Sequence, residues 1–558
     1  MRNRITATLL LILTIILPLN AAEGSNPPRL VLVVIIDQMR RDYLDRFDDL
    51  YGVGGFRLLE QKGARFANCS YPYSVTYTGP GHSAILSGIP PSKSGIIGND
   101  WYSLRLSRTY YCAEDSTMTA VGIAPSSAAG KMSPANFNGN SVCDMLLQSS
   151  PQSKALGIAL KDRGAILPAG KHPTGAFWFD VGSGRWISSS YYGRELPHWA
   201  TEFNNKRMAE GLLGKDWRKF LADDAYIRQG PDSGPGEGAL PGEKTSLFPH
   251  RVLDPAHSDD PVFRGKCRRF EPLVCTPYGN DMTVAFAEAA ITGERLGRRG
   301  VPDILSVSFS SPDWCGHLFG PQSQEMEDMM LRLDRQLAAF FSFVDSTVGL
   351  QNVDIVLTAD HGVAPLPEQT AALGGIRMLA GDYLLDIKVH MGQKYGYNEG
   401  NDNIVRGILA GGLWVDTLGI AAHHFPVQEY MTEAARFTES LPGIARCSMR
   451  SEIEAMPPDI GDSVLSRVKR SYNLERGAQI MVVQKPYCIF GDKDVAVHGS
   501  PYSYDCDVPL LFFGKDFRQG TYDANVTPLD IAPTLARVLR VMPPPGCEGM
   551  PLTECLGK

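Results

Sequence analysis

Acids and imidazoles recur in this sequence at the ends of short apolar runs. Leu30-Val-Leu-Val-Val-Ile-Ile36 ends at Asp37, Pro302–Ser310 leads into Asp313-Trp-Cys-Gly-His317, and Val353–Thr358 leads into Asp360-His361-Gly362. A further site, Val497-His498-Gly-Ser-Pro, precedes the apolar run Asp507–Phe513. Carboxylate and imidazole donors in this mixture suit zinc. An Asp-His dipeptide alone occurs by chance, and a lone histidine is more often a core or surface residue. Three of the 11 histidines, each beside an acid or a glycine where a strand should end, form a more specific set. Two metal ions held about 4 Å apart make a phosphoryl-transfer site, in which one activates the nucleophile and the other stabilises the leaving oxygen.

A nucleophile for such a site lies in Tyr71-Pro-Tyr-Ser-Val-Thr-Tyr-Thr78-Gly-Pro-Gly-His82-Ser-Ala-Ile-Leu-Ser-Gly88. An apolar and aromatic run arrives, turns at Gly79-Pro80-Gly81, and leaves as a helix. Pro80 suits the first helical turn, where a missing N–H costs nothing. Thr78 then stands just before the helix N-terminus, where free N–H groups and the positive dipole end favour a phosphate-like anion. From this stretch alone its hydroxyl is either a helix cap or a nucleophile. Asp37 is open in the same way. It is a ligand at the carboxyl end of a strand, where α/β folds place their sites, or a cap for the segment Met39–Phe47.

The elements that must position these groups alternate along the chain. Leu30–Ile36, Ala155–Leu160, Pro302–Ser310 and Val353–Thr358 are continuous apolar runs, as expected of strands buried on both faces. Helical spacing marks Ser141–Gln148, Asn280–Gly297, Ser323–Val348 and Pro528–Leu539, and Gly88–Tyr102 is loop-like. The alternation predicts an α/β core around a mostly parallel sheet. Two stretches interrupt it. Residues 171–280 are rich in Gly, Pro, Trp and Tyr, with Gly-Pro-Asp-Ser-Gly-Pro-Gly-Glu-Gly at 230–238, and are expected to be an irregular insertion. Residues 366–480 mix helices and strands without an obvious site and are expected to form a second insertion.

Composition narrows the class. A chain of 558 residues with 43% hydrophobic and 21% charged residues is globular and can bury a large core. Its net charge of −7 argues against a nucleic-acid binder, which should show a basic face. Residues 1–22 read as an export signal: Arg2 and Arg4, an apolar Thr8–Leu19, then Asn20-Ala21-Ala22 for cleavage. The apolar run is short for a transmembrane span. The expected location is therefore periplasmic or secreted, with no stable membrane insertion after cleavage. All 11 cysteines follow the signal, and Cys267 with Cys275 and Cys547 with Cys555 are close enough in sequence to be local disulfides. The odd count leaves at least one unpaired, and connectivity is not readable from sequence.

Taken together the motifs resemble the alkaline phosphatase superfamily. More narrowly, the chain is similar to the secreted bacterial single-threonine alkaline phosphatases of the PafA type, related to nucleotide pyrophosphatase/phosphodiesterases. The carrying motifs, in order, are Val-Ile-Ile-Asp37, Thr-Tyr-Thr78-Gly-Pro-Gly-His, Gly-Asn99-Asp-Trp-Tyr, Lys161-Asp-Arg163-Gly, Asp313-x3-His317, Thr-Ala-Asp360-His361-Gly and His498-Gly-Ser-Pro-Tyr. The resemblance spans Leu30 to about Gly514, and 366–480 and the tail after Gly514 carry no transferable motif. It implies a three-layer αβα catalytic domain over 28–558, interrupted by the two insertions. It also implies two zinc ions. Asp37, Thr78, Asp360 and His361 would hold one, and Asp313, His317 and His498 the other. Thr78 would be the nucleophile, its hydroxyl deprotonated by zinc, forming a phosphothreonine that water later cleaves.

The family pattern also assigns Asn99, Lys161 and Arg163 to the substrate. A monoester carries more charge on its non-bridging oxygens than a diester, and a Lys/Arg pair answers it. Asn99 supplies a neutral amide donor. Lys161 and Arg163, two residues apart, would share one face of an extended segment. The expected activity is hydrolysis of small phosphate monoesters by a monomer. A phosphodiesterase on the same metal core would need an apolar pocket in place of the pair. A sulfatase would need a Cys-x-Pro-x-Arg pattern, which is missing from the sequence. An inactive secreted binding protein would lack a ligand or the nucleophile, and every one of them is present.

Overall fold

A computed structural model describes residues 26–557 apart from 458, 459, 462, 492 and 493. The expected signal segment, 1–22, lies outside the described residues. The apolar runs do form strands. The central sheet contains β1 (Leu30–Ile36), β2 (Ala64–Cys69), β3 (Ala120–Val121), β4 (Ala155–Ala159), β5 (Gly175–Asp180), β6 (Arg185–Ser189), β7 (Asp303–Phe309), β8 (Val353–Thr358), β9 (Leu510–Phe513) and β10 (Gly520–Val526). Their spatial order is β10-β2-β9-β8-β1-β7-β4-β5-β6-β3. The middle of the sheet, β8-β1-β7-β4-β5, is parallel throughout, while β9 runs antiparallel to both its neighbours and β6 turns back along β5.

Every residue of β1, β7 and β8 is buried. A strand with no polar face must be covered on both sides, and helices supply the cover. Those around the site are α1 (Thr78–Ile85), α2 (Asp162–Ala169), α3 (Ser311–Phe319) and α4 (Gln324–Val348). Ser323 caps α4 by accepting from the Met326 N–H, and Leu333, Leu337, Phe341, Val344 and Val348 lie on its buried side. The register of the parallel strands decides where the site forms. Ile36 pairs with Phe309, Ile35 with Thr358, and Ser308 with Ala159. These strands end flush, so the residues just after them meet.

The two long interruptions differ from their expected form. Residues 171–280 contain β5 and β6, which belong to the central sheet. The aromatic richness that read as irregular is partly core: Phe177, Trp178, Phe179, Trp186 and Ile187 are buried, and Trp186 stacks on Phe286 with ring centroids 4.1 Å apart. The irregular part follows Ser189. Residues 366–480 contribute to a separate antiparallel sheet in the order 405–409, 412–415, 480–484, 444–449. That sheet has its own apolar cluster, including Val415, Ile444, Ile480 and Cys488, and so runs past residue 480. Neither expected cysteine pair is bonded, and every cysteine is a free thiol. The thiols of Cys267 and Cys275 donate to the carbonyls of Arg268 and Glu271, and those of Cys547 and Cys555 to the carbonyls of Gly549 and Leu552.

One buried imidazole ties the irregular region to α4. His250 lies between Glu243, 2.7 Å from its Nδ1, and Glu325 of α4, 3.2 Å from its Nε2. Burial pulls its pKa down, but the two carboxylates outweigh burial and carry it up to about 9. A histidine raised in the folded state adds stability that is fully present below its unfolded value and lost as pH rises through the folded one. Melting temperature should therefore fall between about pH 7 and about pH 10, and His250→Gln should remove most of that slope while lowering the melting temperature at acid-to-neutral pH. An unchanged slope in His250→Gln would assign the alkaline loss to other groups.

Candidate active site

Asp37, Asp313 and Asp360 follow β1, β7 and β8 at their flush ends. The β1–β7 ladder extends one residue further, with the Asp37 N–H donating to Phe309 O at 3.1 Å. Asp313 comes early in α3, and His317 lies one turn on, on the same face. All three acids are buried. With the histidines they form two sets of ligand atoms: Asp37, Asp360 and His361 in one, and Asp313, His317 and His498 in the other. The structure thus brings together, set by set, the carboxylates and imidazoles that the resemblance assigned to the two ions.

The three imidazoles share one arrangement. Nδ1 of His361 donates to Gly362 O at 2.8 Å, that of His498 to Thr76 O at 2.7 Å, and that of His317 to Ala496 O at 2.6 Å. A proton on each Nδ1 leaves the Nε2 lone pair free, the tautomer that binds a metal. The Nε2 atoms point at the acids: His361 at Asp37 Oδ1 (3.5 Å), His317 and His498 at Asp313 Oδ1 (3.3 and 3.5 Å). Burial brings His361 down to about 3 and lowers His498 as well. At His317 burial acts the same way, but the Asp313 charge overrides it and carries the group up to about 9, so this ring exposes its Nε2 lone pair only when a cation displaces the second proton. Burial, and then the neighbouring Asp360, push Asp37 well up.

These residues fit a pair of metal ions. Three buried carboxylates face the single ammonium of Lys161, which contacts Asp37 at 2.7 Å and also Asp313. Asp37 Oδ1 is buried without a hydrogen-bond donor. Unpaired buried charge costs several kcal/mol per ion, and cations in the two sets would remove that cost.

Thr78 is the first residue of α1, with Tyr77 in the capping position, and none of the partners of its hydroxyl is a backbone N–H of that helix. Instead Oγ1 lies 3.5 Å from His361 Nε2 and 3.5 Å from Arg163 Nη2. The capping reading is excluded, and the side chain is aimed at the ligand sets. The expectation of a free N–H cradle needs correction, since Gly79 N–H already donates to Asn99 Oδ1 at 2.7 Å and Pro80 has none. Asn99 is thereby fixed beside Thr78, with its NH2 group left for a ligand.

Lys161 and Arg163 do not lie on an extended segment. Lys161 caps α2 and Arg163 is its second residue, because β4 passes straight into the helix after Leu160. They still converge, on different partners: Lys161 on the acids, Arg163 on the Thr78 hydroxyl.

Three residues of the site were not singled out from sequence. Gln38, at φ +67 in the tight turn after β1, donates its N–H to Asp360 Oδ1 (3.1 Å) and its Nε2 to Asp313 Oδ1 (2.8 Å), joining the two sets. His82, one turn after Thr78, holds Thr78 O at 2.9 Å and Ser308 Oγ at 2.8 Å, with its Nδ1 3.0 Å from Asp360 Oδ2. Its position four residues beyond a helix-opening threonine was the available signal. Tyr111 accepts from Arg163 Nη1 at 3.2 Å and donates to Asp162, which steers the guanidinium; nothing in its sequence context marks it.

Gln38 should govern metal retention without touching metal. Outer-shell partners of this kind are worth roughly ten- to hundredfold in metal affinity. Gln38→Ala should lose metal faster to a competing chelator, followed by metal content. A Cβ on Gly316 would sit 1.8 Å from Gln38 Oε1, so Gly316→Ala should reproduce the effect. Wild-type metal retention in both variants would remove Gln38 from the outer shell.

Comparison with known proteins agrees with this geometry. Residues 31–401 match the family described as type I phosphodiesterase / nucleotide pyrophosphatase. The chain is 36% identical over 533 residues to alkaline phosphatase PafA of Elizabethkingia meningoseptica, covering 95% of each chain. It is 34% identical to alkaline phosphatase PhoV of Synechococcus elongatus, over 95% of this chain and 93% of that one. The crystal structure of wild-type PafA superposes with a TM-score of 0.88 at 34% identity, over 96% of this chain and all of the other. The chain therefore belongs to the type I phosphodiesterase/nucleotide pyrophosphatase family, within the alkaline phosphatase superfamily.

Proposed function

We propose that this chain is an exported alkaline phosphatase that hydrolyses phosphate monoesters at two zinc ions through a phosphothreonine at Thr78. The observation that carries the reading is the Thr78 hydroxyl, 3.5 Å from both His361 Nε2 and Arg163 Nη2, beside two ready-made ligand sets. Asp37, Asp360 and His361, with Thr78, would hold one ion, and Asp313, His317 and His498 the other. Nitrogen and oxygen donors without thiolate favour zinc. Bound there, the ions supply Lewis acidity that lowers the pKa of a nearby hydroxyl and neutralises charge on the leaving oxygen.

The chain's own groups do the rest. The Thr78 oxygen attacks phosphorus as the ester oxygen departs, and a water molecule then cleaves the phosphothreonine to release phosphate. Arg163, already against Thr78 Oγ1, pairs with a non-bridging phosphoryl oxygen, and the Asn99 NH2 donates to another. Lys161 offsets the acids that converge on it. Among the described residues no helix is long and apolar enough to cross a membrane.

A diesterase is the second reading, favoured by the description of the matching family. Arg163 weighs against it, because a diester has one fewer charged oxygen to pair. Arg163→Ala should cost monoester kcat/KM roughly ten- to hundredfold, one charge-assisted contact, and diester kcat/KM much less. The two substrates must share a leaving group. Equal losses would mean that Arg163 does not select monoesters.

The nucleophile has its own test. Thr78→Ala should lose most turnover, while Thr78→Ser, which keeps the oxygen, should retain a substantial part. Mass spectrometry of acid-quenched enzyme should find phosphate on residue 78 in wild type. Wild-type turnover in Thr78→Ala would exclude covalent catalysis there. Chelation should abolish activity, and zinc should restore it.

A further inference from the structure

His361 and His498 belong to different ligand sets, yet their rings stack with centroids 3.6 Å apart and planes 18° from parallel. The spacing of the two sets therefore depends on how two separate loops are held. His361 follows β8 and inherits its place from the central sheet. His498 has no such support. It lies between 488–490 and α5 (Ser503–Cys506), in a stretch with no helix or strand of its own among the described residues.

One residue of α5 reaches both loops. Asp505 is buried, and its carbonyl accepts from the Gly362 N–H at 2.7 Å, while Tyr504 O accepts from the Val363 N–H at 2.8 Å. Gly362 O in turn accepts from His361 Nδ1, so Gly362 is bonded to the ring on one side and to α5 on the other. The fit is close: a Cβ on Gly362 would lie 2.2 Å from Tyr504 O. The Asp505 side chain turns the other way. Its Oδ2 accepts from the Ser500 N–H at 2.8 Å, two residues after His498. Between them Gly499, at φ +107, is pressed against Tyr77, where a Cβ would meet the ring at 2.3 Å. A backbone conformation suited to glycine and a charge-assisted bond to a buried carboxylate together aim His498. Thr76 also holds this loop, through His498 Nδ1 and by donating its Oγ1 to Ser500 O at 3.1 Å, but it ties the loop to the Thr78 segment. Toward the His361 loop there is, besides Asp505, a longer bond from the Ala364 N–H to Val497 O at 3.3 Å.

We propose that Asp505 is a positioning residue that fixes the His498 loop against the His361 loop and thereby sets the spacing of the two ions. Its effect passes through Ser500 and Gly362. The tie to the His361 loop is main chain and the tie to the His498 loop is side chain, so a substitution at 505 cuts only the second. The inference rests on the two-metal reading of the site.

The effect of cutting it should be one-sided. In the zinc-free protein, hydrogen exchange over 497–502 should speed up in Asp505→Ala, while exchange over 360–364 keeps its wild-type rate. Asp505→Asn, which retains an oxygen for the Ser500 N–H, should restore slow exchange. Zinc competition with a chelator should show the same asymmetry. Wild type holds two ions; Asp505→Ala should hold one as tightly and the other roughly ten- to hundredfold more weakly, the scale of an outer-shell partner. Gly499→Ala, which pushes the loop from the Tyr77 side, should repeat the one-ion loss with the carboxylate in place, and it decides the outcome should Asp505→Ala not fold. Wild-type retention of both ions in the folded variants, equal weakening of both ions, or fast exchange persisting in Asp505→Asn overturns the proposal. A wild type that binds no zinc overturns the two-metal reading instead.

Discussion

Asp37, Asp313 and Asp360 repel one another, and the parallel register of β1, β7 and β8 is what holds them together. Flush strand ends bring the three acids to one edge of the sheet. The strands are buried on both faces and packed under helices, so the acids cannot relax apart without opening the core. Local groups then soften the repulsion. The Lys161 ammonium reaches two of the acids, and Gln38 hydrogen-bonds two through its N–H and its amide. What remains is a surplus of negative charge facing lone pairs of three imidazoles, which is a demand for cations built into the fold.

Much of this was legible in the sequence because it follows from short-range rules. Buried parallel strands are unbroken apolar runs, so β1 and β8 could be bounded to the residue and β4 and β7 to within one. An acid after such a run lands at a carboxyl edge, whereas the division of the donors into two sets came from the family resemblance. The failures share a cause as well. Whether Phe177 and Trp186 line a core or an irregular insertion depends on Phe286, about a hundred residues away. Whether Lys161 and Arg163 lie extended depends on how soon β4 turns into α2. The Gly79 N–H, free by helix rules alone, is taken by Asn99 across a loop. Tyr111 acts only through Asp162 and Arg163, a relation that exists in space and not in spacing.

The two sheets divide the work. The central sheet fixes acids, lysine and threonine, and its geometry leaves little freedom to any of them. The smaller sheet has a separate apolar core and, among the described residues, meets the site mainly through a hairpin and through Phe490, Val497 and His498. Its residues carried no motif because walls need shape and polarity, which many sequences supply, whereas ligands need particular atoms.

The three metal-facing histidines are oriented by carbonyl groups of Thr76, Gly362 and Ala496. These acceptors are main chain, so no point substitution deletes the oxygen itself. Thr76 and Ala496 are fully buried, and a larger side chain at either must move the backbone that carries the carbonyl. A mutational scan would register such a change as a packing defect, because this part of the outer shell is encoded by the path of the backbone and is lost only by bending it.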